Sequence, residues 1–410
     1  MQLSFPSFLL LLICPLLIPF SLLKADAITT QTQKVQWQQA DIERIKPLSF
    51  KHIPRHIKDP SNQYLHVPAA IKLGEDLFND KRMSTNLAVA CATCHIKQKA
   101  FTDKRNIALG IRIGVRNTPS LLNVAQQNWF FWDGRKDSLW SQALAPLENP
   151  AEHAFSRLQM IHFIANDVDY RKRYATIFKQ KLPDAETLTK LPLKGSPNGN
   201  IDELITWKKL PSETKKMVNR IFSNIGKAIA AYVSTLKSKP SRFDHFIAAL
   251  EKKGESSLLG PSAQRGLKLF IGRAGCANCH QGALFSNKEF HNIGTGIPGR
   301  DNGRAEVISE VKHDVFNCLG EFSDARADQC INLKYMSTNS HAMAGAYRTP
   351  SLRNVSKTAP YMHDGRFKTL NAVLDYYASI DKQKALQTDL PEMKLSEQDK
   401  ADLVRFLQTL

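Results

Sequence analysis

The sequence predicts an all-α protein built from two copies of one unit, and three observations carry that expectation. Apolar side chains recur at steps of three and four along Met217, Ile221, Ile225, Ile229, Val233 and Leu236, the spacing that lines one face of a helix. Alternating strand patterns are scarce. The run Thr118-Pro119-Ser120-Leu121-Leu122-Asn123-Val124, continuing to Phe131-Trp132-Asp133-Gly134-Arg135, is repeated as Thr349-Pro350-Ser351-Leu352-Arg353-Asn354-Val355, continuing to Met362-His363-Asp364-Gly365-Arg366. The two runs match over 18 residues without a gap, at a constant offset of 231 positions. A self-match of this kind marks a duplicated structural unit.

A chain of 410 residues has room for two or three domains, and a 42% apolar share supports packed cores rather than disorder. The formal net charge of +18 is not gathered into a run of like charges. It fits a solvated basic surface or the steering of an acidic partner. No helix-turn-helix, zinc-finger or RNP-like pattern accompanies it, which argues against nucleic acid as the partner.

Taken in chain order, the first element is an apolar stretch from Leu3 to Leu23 that ends in Ala25-Asp26-Ala27. An apolar run before a small-x-small site reads as an export signal over residues 1–27, cleaved after Ala27. The stretch lacks Lys or Arg at its start and is long, so an uncleaved membrane anchor is the alternative. Either way the remainder is expected outside the cytoplasm. The next element is Cys91-Ala92-Thr93-Cys94-His95, followed by the first copy of the repeat. Residues 183–211 carry Pro183, Pro192, Gly195, Pro197, Gly199 and Pro211 and read as a surface excursion. The apolar stripe at 217–236 then reads as a helix packed in a core or between domains.

The second half opens on Cys276-Ala277-Asn278-Cys279-His280. From His280 to Thr349 is 69 positions, against 23 from His95 to Thr118, so the second copy holds 46 extra residues. This insert is rich in Gly, Asn and Asp and reads as loop. It contains Cys318 and Cys330, either a disulfide pair or two separate thiols. Ser396 with Asp399 three residues on resembles a capping box ahead of Leu403, Val404, Leu407 and Leu410, which predicts a C-terminal helix.

Cys91, Cys94, His95 and Cys276, Cys279, His280 carry the chemistry. Two thiols three positions apart reach the two vinyl groups of one haem, and the adjacent histidine presents its imidazole to the iron. Zinc or redox C-x-x-C pairs need no histidine at the next position, so two copies with His imply two covalently bound c-type haems. Between His95 and His153 there is no histidine, and between Cys94 and Met160 no methionine. The first haem thus has no nearby strong sixth ligand, a condition that permits peroxide or oxygen chemistry.

With both C-x-x-C-H motifs, Arg116-Asn117-Thr118-Pro119, Phe131-Trp132-Asp133-Gly134-Arg135, Asn149-Pro150-Ala151-Glu152 and Tyr361-Met362-His363-Asp364-Gly365-Arg366, the chain resembles the bacterial di-haem cytochrome c peroxidase and MauG family. The resemblance covers nearly the whole chain after the first 27 residues. It implies two cytochrome c-like haem domains facing an inter-domain seam, with a first domain over 45–170 holding the peroxidatic haem. Connecting helices and the polar excursion span 171–255, and a second domain over 256–410 holds the electron-transfer haem. It also implies that Gln142 and Glu152 line the peroxide side of the first haem, Glu152 moving the proton between peroxide oxygens, and that Trp132 lies between the haems.

Family peroxidases commonly carry a ligating loop histidine ahead of the R-N-x-P stretch. Here that place reads Ala108-Leu109-Gly110-Ile111-Arg112, which implies an open resting first haem. Fourteen residues after the H-D-G histidine the peroxidases place methionine and MauG-like proteins tyrosine; here the residue is Tyr377, whose counterpart in the first repeat is Pro146. Tyr377 is therefore the implied sixth ligand of the second haem, the alternative being a packing residue beside an iron bound by Met336, Met343 or Met362. Asn117, Thr358 and Pro360 match positions that bind an inter-haem Ca2+ in the family, the first by its side-chain oxygen and the others by backbone carbonyls.

The expected function is reduction of hydrogen peroxide at the first haem, with electrons relayed through the second from a small periplasmic cytochrome c or cupredoxin. The alternative is MauG-like oxidation of Tyr or Trp side chains in a protein substrate. A non-enzymatic alternative is a di-haem electron carrier or redox sensor. The expected compartment is the periplasm, with membrane contact only if the N-terminal segment stays uncleaved.

Overall fold

The computed structural model of the chain describes residues 35–254, 256–296, 300–380 and 388–410; the segment read as an export signal or anchor lies outside them, with Cys14. Among the described residues the regular secondary structure is helical apart from two three-residue strands, Phe290–Asn292 and Ala346–Arg348, paired antiparallel with Phe290 opposite Arg348. No described helix is long and apolar enough to cross a membrane.

Two hydrophobic cores organise the molecule, each built on the same trio of helices. In the first, a leading helix (Pro68–Asn79) begins on a proline, whose fixed φ and missing N–H suit the first helical turn. It buries Leu73, Leu77 and Phe78 against a closing helix (Ser212–Val233). The two backbones touch at Gly74, where a Cβ would stand 1.9 Å from the Ala228 carbonyl oxygen. In the second core the leading helix Pro261–Ile271 meets the closing helix Glu397–Leu407 in the same way, a Cβ at Gly266 falling 2.0 Å from Asp402 O. The third members are Leu139–Glu148 and Leu370–Ser379, with both ends displaced by 231 positions and capped by the equivalent hydroxyls of Ser138 and Thr369.

The apolar stripe read from the sequence is thus the first closing helix, with Ile221, Ile225 and Ile229 buried. Expected within the segment 171–255, it packs in the first core. The capping box at Ser396 forms, Ser396 Oγ accepting from Asp399 N and the Asp399 carboxylate from Ser396 N. A helix ahead of the first repeat, Gln39–Ile45, crosses to the second core, where Ile42, Ile45 and Leu48 meet Phe246 and Leu250. The two copies join at Ser238, whose hydroxyl oxygen accepts from Asn123 Nδ2 at 2.6 Å and Asn354 Nδ2 at 2.7 Å, two residues at one repeat position.

Two expectations are corrected. Residues 183–211 are not a plain surface excursion: they form helices Ala185–Lys190 and Ile201–Lys209, and Trp207 is buried over the Arg157 guanidinium. Pro183, Pro192 and Pro211 bound these helices rather than interrupt them, as a residue that cannot donate an N–H does best at an end. The insert is likewise not all loop. It contains a helix, Arg304–His313, that buries Val307, Ile308 and Val311. It then sends Phe316 and Phe322 into the first core, and Cys318 and Cys330 form a disulfide. The insert is therefore a strap leading from the second half across the first.

Candidate haem and peroxide site

Each attachment motif folds into a single turn at the end of the segment after its leading helix, Cys91–Cys94 and Cys276–Asn278. The following histidine is held in one orientation in both. His95 Nδ1 donates to Phe101 O at 3.0 Å and His280 Nδ1 to Phe285 O at 2.8 Å. A ring that donates from Nδ1 keeps the Nε2 lone pair for a metal. The two accepting phenylalanines share a positive φ, 57° and 52°. Burial depresses both imidazoles, His280 to about 4, which favours the neutral form that ligation requires. Burial pushes the Cys91 thiol up to about 12, Cys94 to about 11 and Cys276 to about 12. These are neutral thiols, unlike the depressed cysteines of disulfide exchange.

A cavity of about 300 Å³ opens beside the second motif, lined by Cys276, Cys279, His280 and Tyr377 and running to Trp132 and Asn117 at the seam. Paired thiols, an oriented imidazole and an adjoining apolar cavity fit a covalently bound haem. Tyr377 stands on the Leu370–Ser379 helix against the second core, its hydroxyl pKa pushed up by burial and by Cys276, Tyr376 and Cys279 beside it. Met362 also lines this cavity, whereas Met336 packs with Trp129, Val311 and Leu333, and Met343 sits in the turn before strand Ala346–Arg348.

On the first haem's side, Glu152 follows the turn that ends helix Leu139–Glu148. Asn149 Nδ2 donates to its carboxylate at 2.8 Å. Burial raises the Glu152 pKa, with Arg135 and Asn149 opposing, and the Glu152 charge bears in turn on Cys91 and Cys94. Glu152, the residue to which the resemblance assigns proton transfer, therefore lies near the first attachment site. Gln142 is half-buried ten residues earlier, on the helix Leu139–Glu148, and shares no hydrogen bond with Glu152. His153 is buried and tied to Met83 O at 2.8 Å, and Met160 is enclosed in the first core.

Sequence reasoning missed what holds Glu152. The loop without a histidine pairs with it through the backbone: Ile111 N donates to Glu152 O at 3.1 Å and Arg112 N to Ala151 O at 3.0 Å. A Cβ on Gly110 would come within 2.7 Å of Glu152 Cα. Nothing in the loop's composition announces this contact.

Trp132 is clamped from both halves, donating from Nε1 to Asn117 O at 2.9 Å while its own carbonyl accepts from Arg348 N at 2.8 Å. Below it Arg116 bridges Asp133 and Asp301, the latter from the strap at 2.6 Å. Burial raises Asp301, but Arg116 outweighs it and holds the carboxyl at about 2. Asp301 carried no motif that could have revealed it. Asn117, Thr358 and Pro360 line the same cavity. The Asn117 amide nitrogen donates to Arg105 O at 2.8 Å, which leaves the oxygen end for a cation. Thr358 Oγ1 donates to Val355 O at 3.0 Å.

Two oriented attachment turns on duplicated helical halves define a two-haem c-type cytochrome. The sequence pattern of the di-haem cytochrome c peroxidases matches residues 68–252. The methylamine utilization protein MauG of Methylorubrum extorquens is 30% identical over 393 residues, covering 94% of this chain and 91% of that protein. The cytochrome-c peroxidase IdrP2 of Pseudomonas sp. strain SCT is 28% identical, covering 84% and 81%. A solved MauG-like protein associated with microbial copper homeostasis superposes with a TM-score of 0.61 at 25% identity, covering 87% and 94%. The chain belongs to the di-haem cytochrome c peroxidase and MauG family, and it is a peroxidase-type oxidoreductase with two c-type haems.

Proposed function

We propose that the chain reduces hydrogen peroxide to water on the haem attached at Cys91 and Cys94, with electrons passing by way of Trp132 from the haem attached at Cys276 and Cys279. Each turnover consumes two electrons and two protons per peroxide and yields two waters. Bound haem iron supplies the redox chemistry; the protein supplies proton movement, orientation and exclusion of water. The observation that carries the reading is Glu152, a carboxyl raised by burial and held by Asn149 near the first attachment site. Raised in this way, it can accept a proton from one peroxide oxygen and return it to the other. Gln142, on the helix Leu139–Glu148 that precedes Glu152, completes the polar lining. Trp132, clamped by both halves, is the bridge for electrons or holes.

The donor in this reading is a small cytochrome c or cupredoxin meeting the second half, in the periplasm, after removal of residues 1–27. Asn117, Thr358 and Pro360 would hold Ca2+ at the seam, their shared cavity supporting the assignment. A second reading, MauG-like oxidation of Tyr or Trp side chains in a partner protein, is favoured by Tyr377. A phenol oxygen on the second haem would favour the ferric state and stabilise oxidising equivalents that a protein substrate could then quench.

Replacing Glu152→Gln tests the proposal. The reaction with peroxide should slow by about 10²- to 10⁴-fold, the usual worth of a positioned proton carrier. The absorption spectrum of the second haem should not change. Unaltered peroxide kinetics would remove Glu152 from the chemistry.

A further inference from the structure

The cavity beside the second motif is lined by two arginines that differ in one respect. Arg353 is paired with Asp244, Nη1 at 2.8 Å and Nη2 at 3.1 Å from its carboxylate oxygens. Arg348 is equally buried, at 7% exposure, and has no ion pair among the described residues. Its side chain makes only long contacts, Nε to Phe131 O at 3.4 Å and Nη1 to Thr349 O at 3.5 Å. A guanidinium out of water without a counter-charge is costly, and proteins pair such groups or give them an anionic ligand. From Arg348 we infer a binding role that the duplication makes visible: its guanidinium is the counter-charge for the propionate carboxylates of the second haem.

The position supports this. Arg348 lies on the strand Ala346–Arg348 with its backbone N–H on Trp132 O, and it lines the cavity that holds Cys276, Cys279 and His280. An anion reaching the seam from that cavity meets it. In the first repeat the same position, 231 residues earlier, is Asn117, the neutral amide proposed above as a cation ligand. Around the pseudo-symmetric seam, one copy thus recruits a cation and the other supplies one from its own chain. Of the other arginines near Trp132, Arg116 is already engaged by Asp133 and Asp301, and Arg135 by Asp133. The fork of a guanidinium suits a carboxylate, and its charge is fixed at any working pH. Burial lowers its pKa to about 10, a strain that a facing carboxylate would relieve.

The inference rests on haem attachment at Cys276 and Cys279, so each variant is first weighed after denaturation: two haems per chain confirm loading independently of Arg348. Arg348→Met should then shift the second haem to a more negative reduction potential. The reduced-to-oxidised ratio at the wild-type midpoint should fall about tenfold, the scale of one charge at roughly 10 Å in a protein interior. The loaded variant should also unfold at lower temperature, and Arg348→Lys should restore most of the potential. If Arg348→Met fails to load, Arg348→Gln is compared with Arg348→Lys in the same way. Unchanged potentials overturn the inference, as does a loaded Arg348→Met protein as stable as the wild type. A wild-type potential that moves on adding phosphate at constant ionic strength also overturns it, since Arg348 would then take a free anion.

Discussion

At Glu152, burial raises the carboxyl above its ordinary value of 4.5 while Arg135 and Asn149 oppose the shift. The proton-accepting carboxylate exists only above the folded-state pKa, so acidification removes it at a higher pH than for an ordinary carboxyl. The rate of reaction with peroxide should therefore decline with falling pH through a midpoint above 4.5, and in Glu152→Gln that limb should vanish. Stopped-flow rates from pH 4 to 8 would show it. Tyr377 separates the two functional readings. Tyr377→Met should raise the second haem's potential and push the enzyme toward ordinary peroxidase behaviour with a small electron donor. If spectrum and potential both stay as they were, Tyr377 is a packing residue of the Leu370–Ser379 helix and MauG-like chemistry loses its main support. Gln142, Glu152, Trp132 and Tyr377 could be named before any fold was known because the family resemblance assigns roles to their positions relative to its motifs. Arg348 and Asp301 could not: what singles them out is the presence or lack of a partner far away in sequence.

The loop Ala108–Gly114 is the element on which an open first haem would depend in the proposed reading. In place of a histidine it presents Ala108-Leu109-Gly110-Ile111-Arg112, and its backbone is tied to Ala151 and Glu152. A high-spin ferric signal should therefore appear in the untreated protein, without prior reduction, in its resting electron paramagnetic spectrum; a wholly low-spin spectrum would contradict this. The same loop holds Glu152, the proposed proton carrier. Gly110→Ala would place a methyl 2.7 Å from Glu152 Cα and 2.6 Å from Ala151 O, so the Asn149–Glu152 turn must shift. A misplacement of about 1 Å at a reacting group costs on the order of 10²-fold. Peroxide reactivity should fall by about that factor while the second haem's potential is unchanged, and an unimpaired variant would show that the loop does not position Glu152. The loop's missing histidine was legible in the sequence. Its clamp on Glu152 was not, because backbone hydrogen bonds leave no trace in residue identity.

Across the whole molecule, the strap inserted in the second copy ties the halves together. Asp301 reaches Arg116, Cys318 N donates to Asp137 at 2.8 Å, and Asp324 pairs with Lys227 of the first closing helix at 2.8 Å. Lys227 is fully buried, and burial depresses its pKa against the pull of Asp324. Removing one partner of a buried pair strands the other charge, at a cost of about 3–5 kcal/mol. Asp324→Asn should thus lower stability by about 3 kcal/mol, a little below that full cost because Lys227 keeps its bond to Phe322 O. Denaturant unfolding of the loaded protein would measure it, and a loss under about 1 kcal/mol, the worth of a surface pair, would mean the strap is not anchored there.

Local spacing in the sequence determined the haem count, the duplication, the all-α class, the first closing helix and the C-terminal cap. Each depends on residues within a few positions of one another: thiols that must match two vinyl groups, apolar side chains at helical steps, a serine three residues before its carboxylate. Tertiary structure decided the rest, for the converse reason. Which core a helix joins depends on surfaces hundreds of residues apart, so Gln39–Ile45 lies in the second core and Phe316 and Phe322 in the first. The proline-marked excursion and the Gly- and Asn-rich insert both proved to hold packed helices, since turn residues mark where helices end and say little of what is buried between them. Charge follows the same rule. Arg348 and Arg353 are alike as letters and line one cavity, and only the folded chain gives one an aspartate and leaves the other without one.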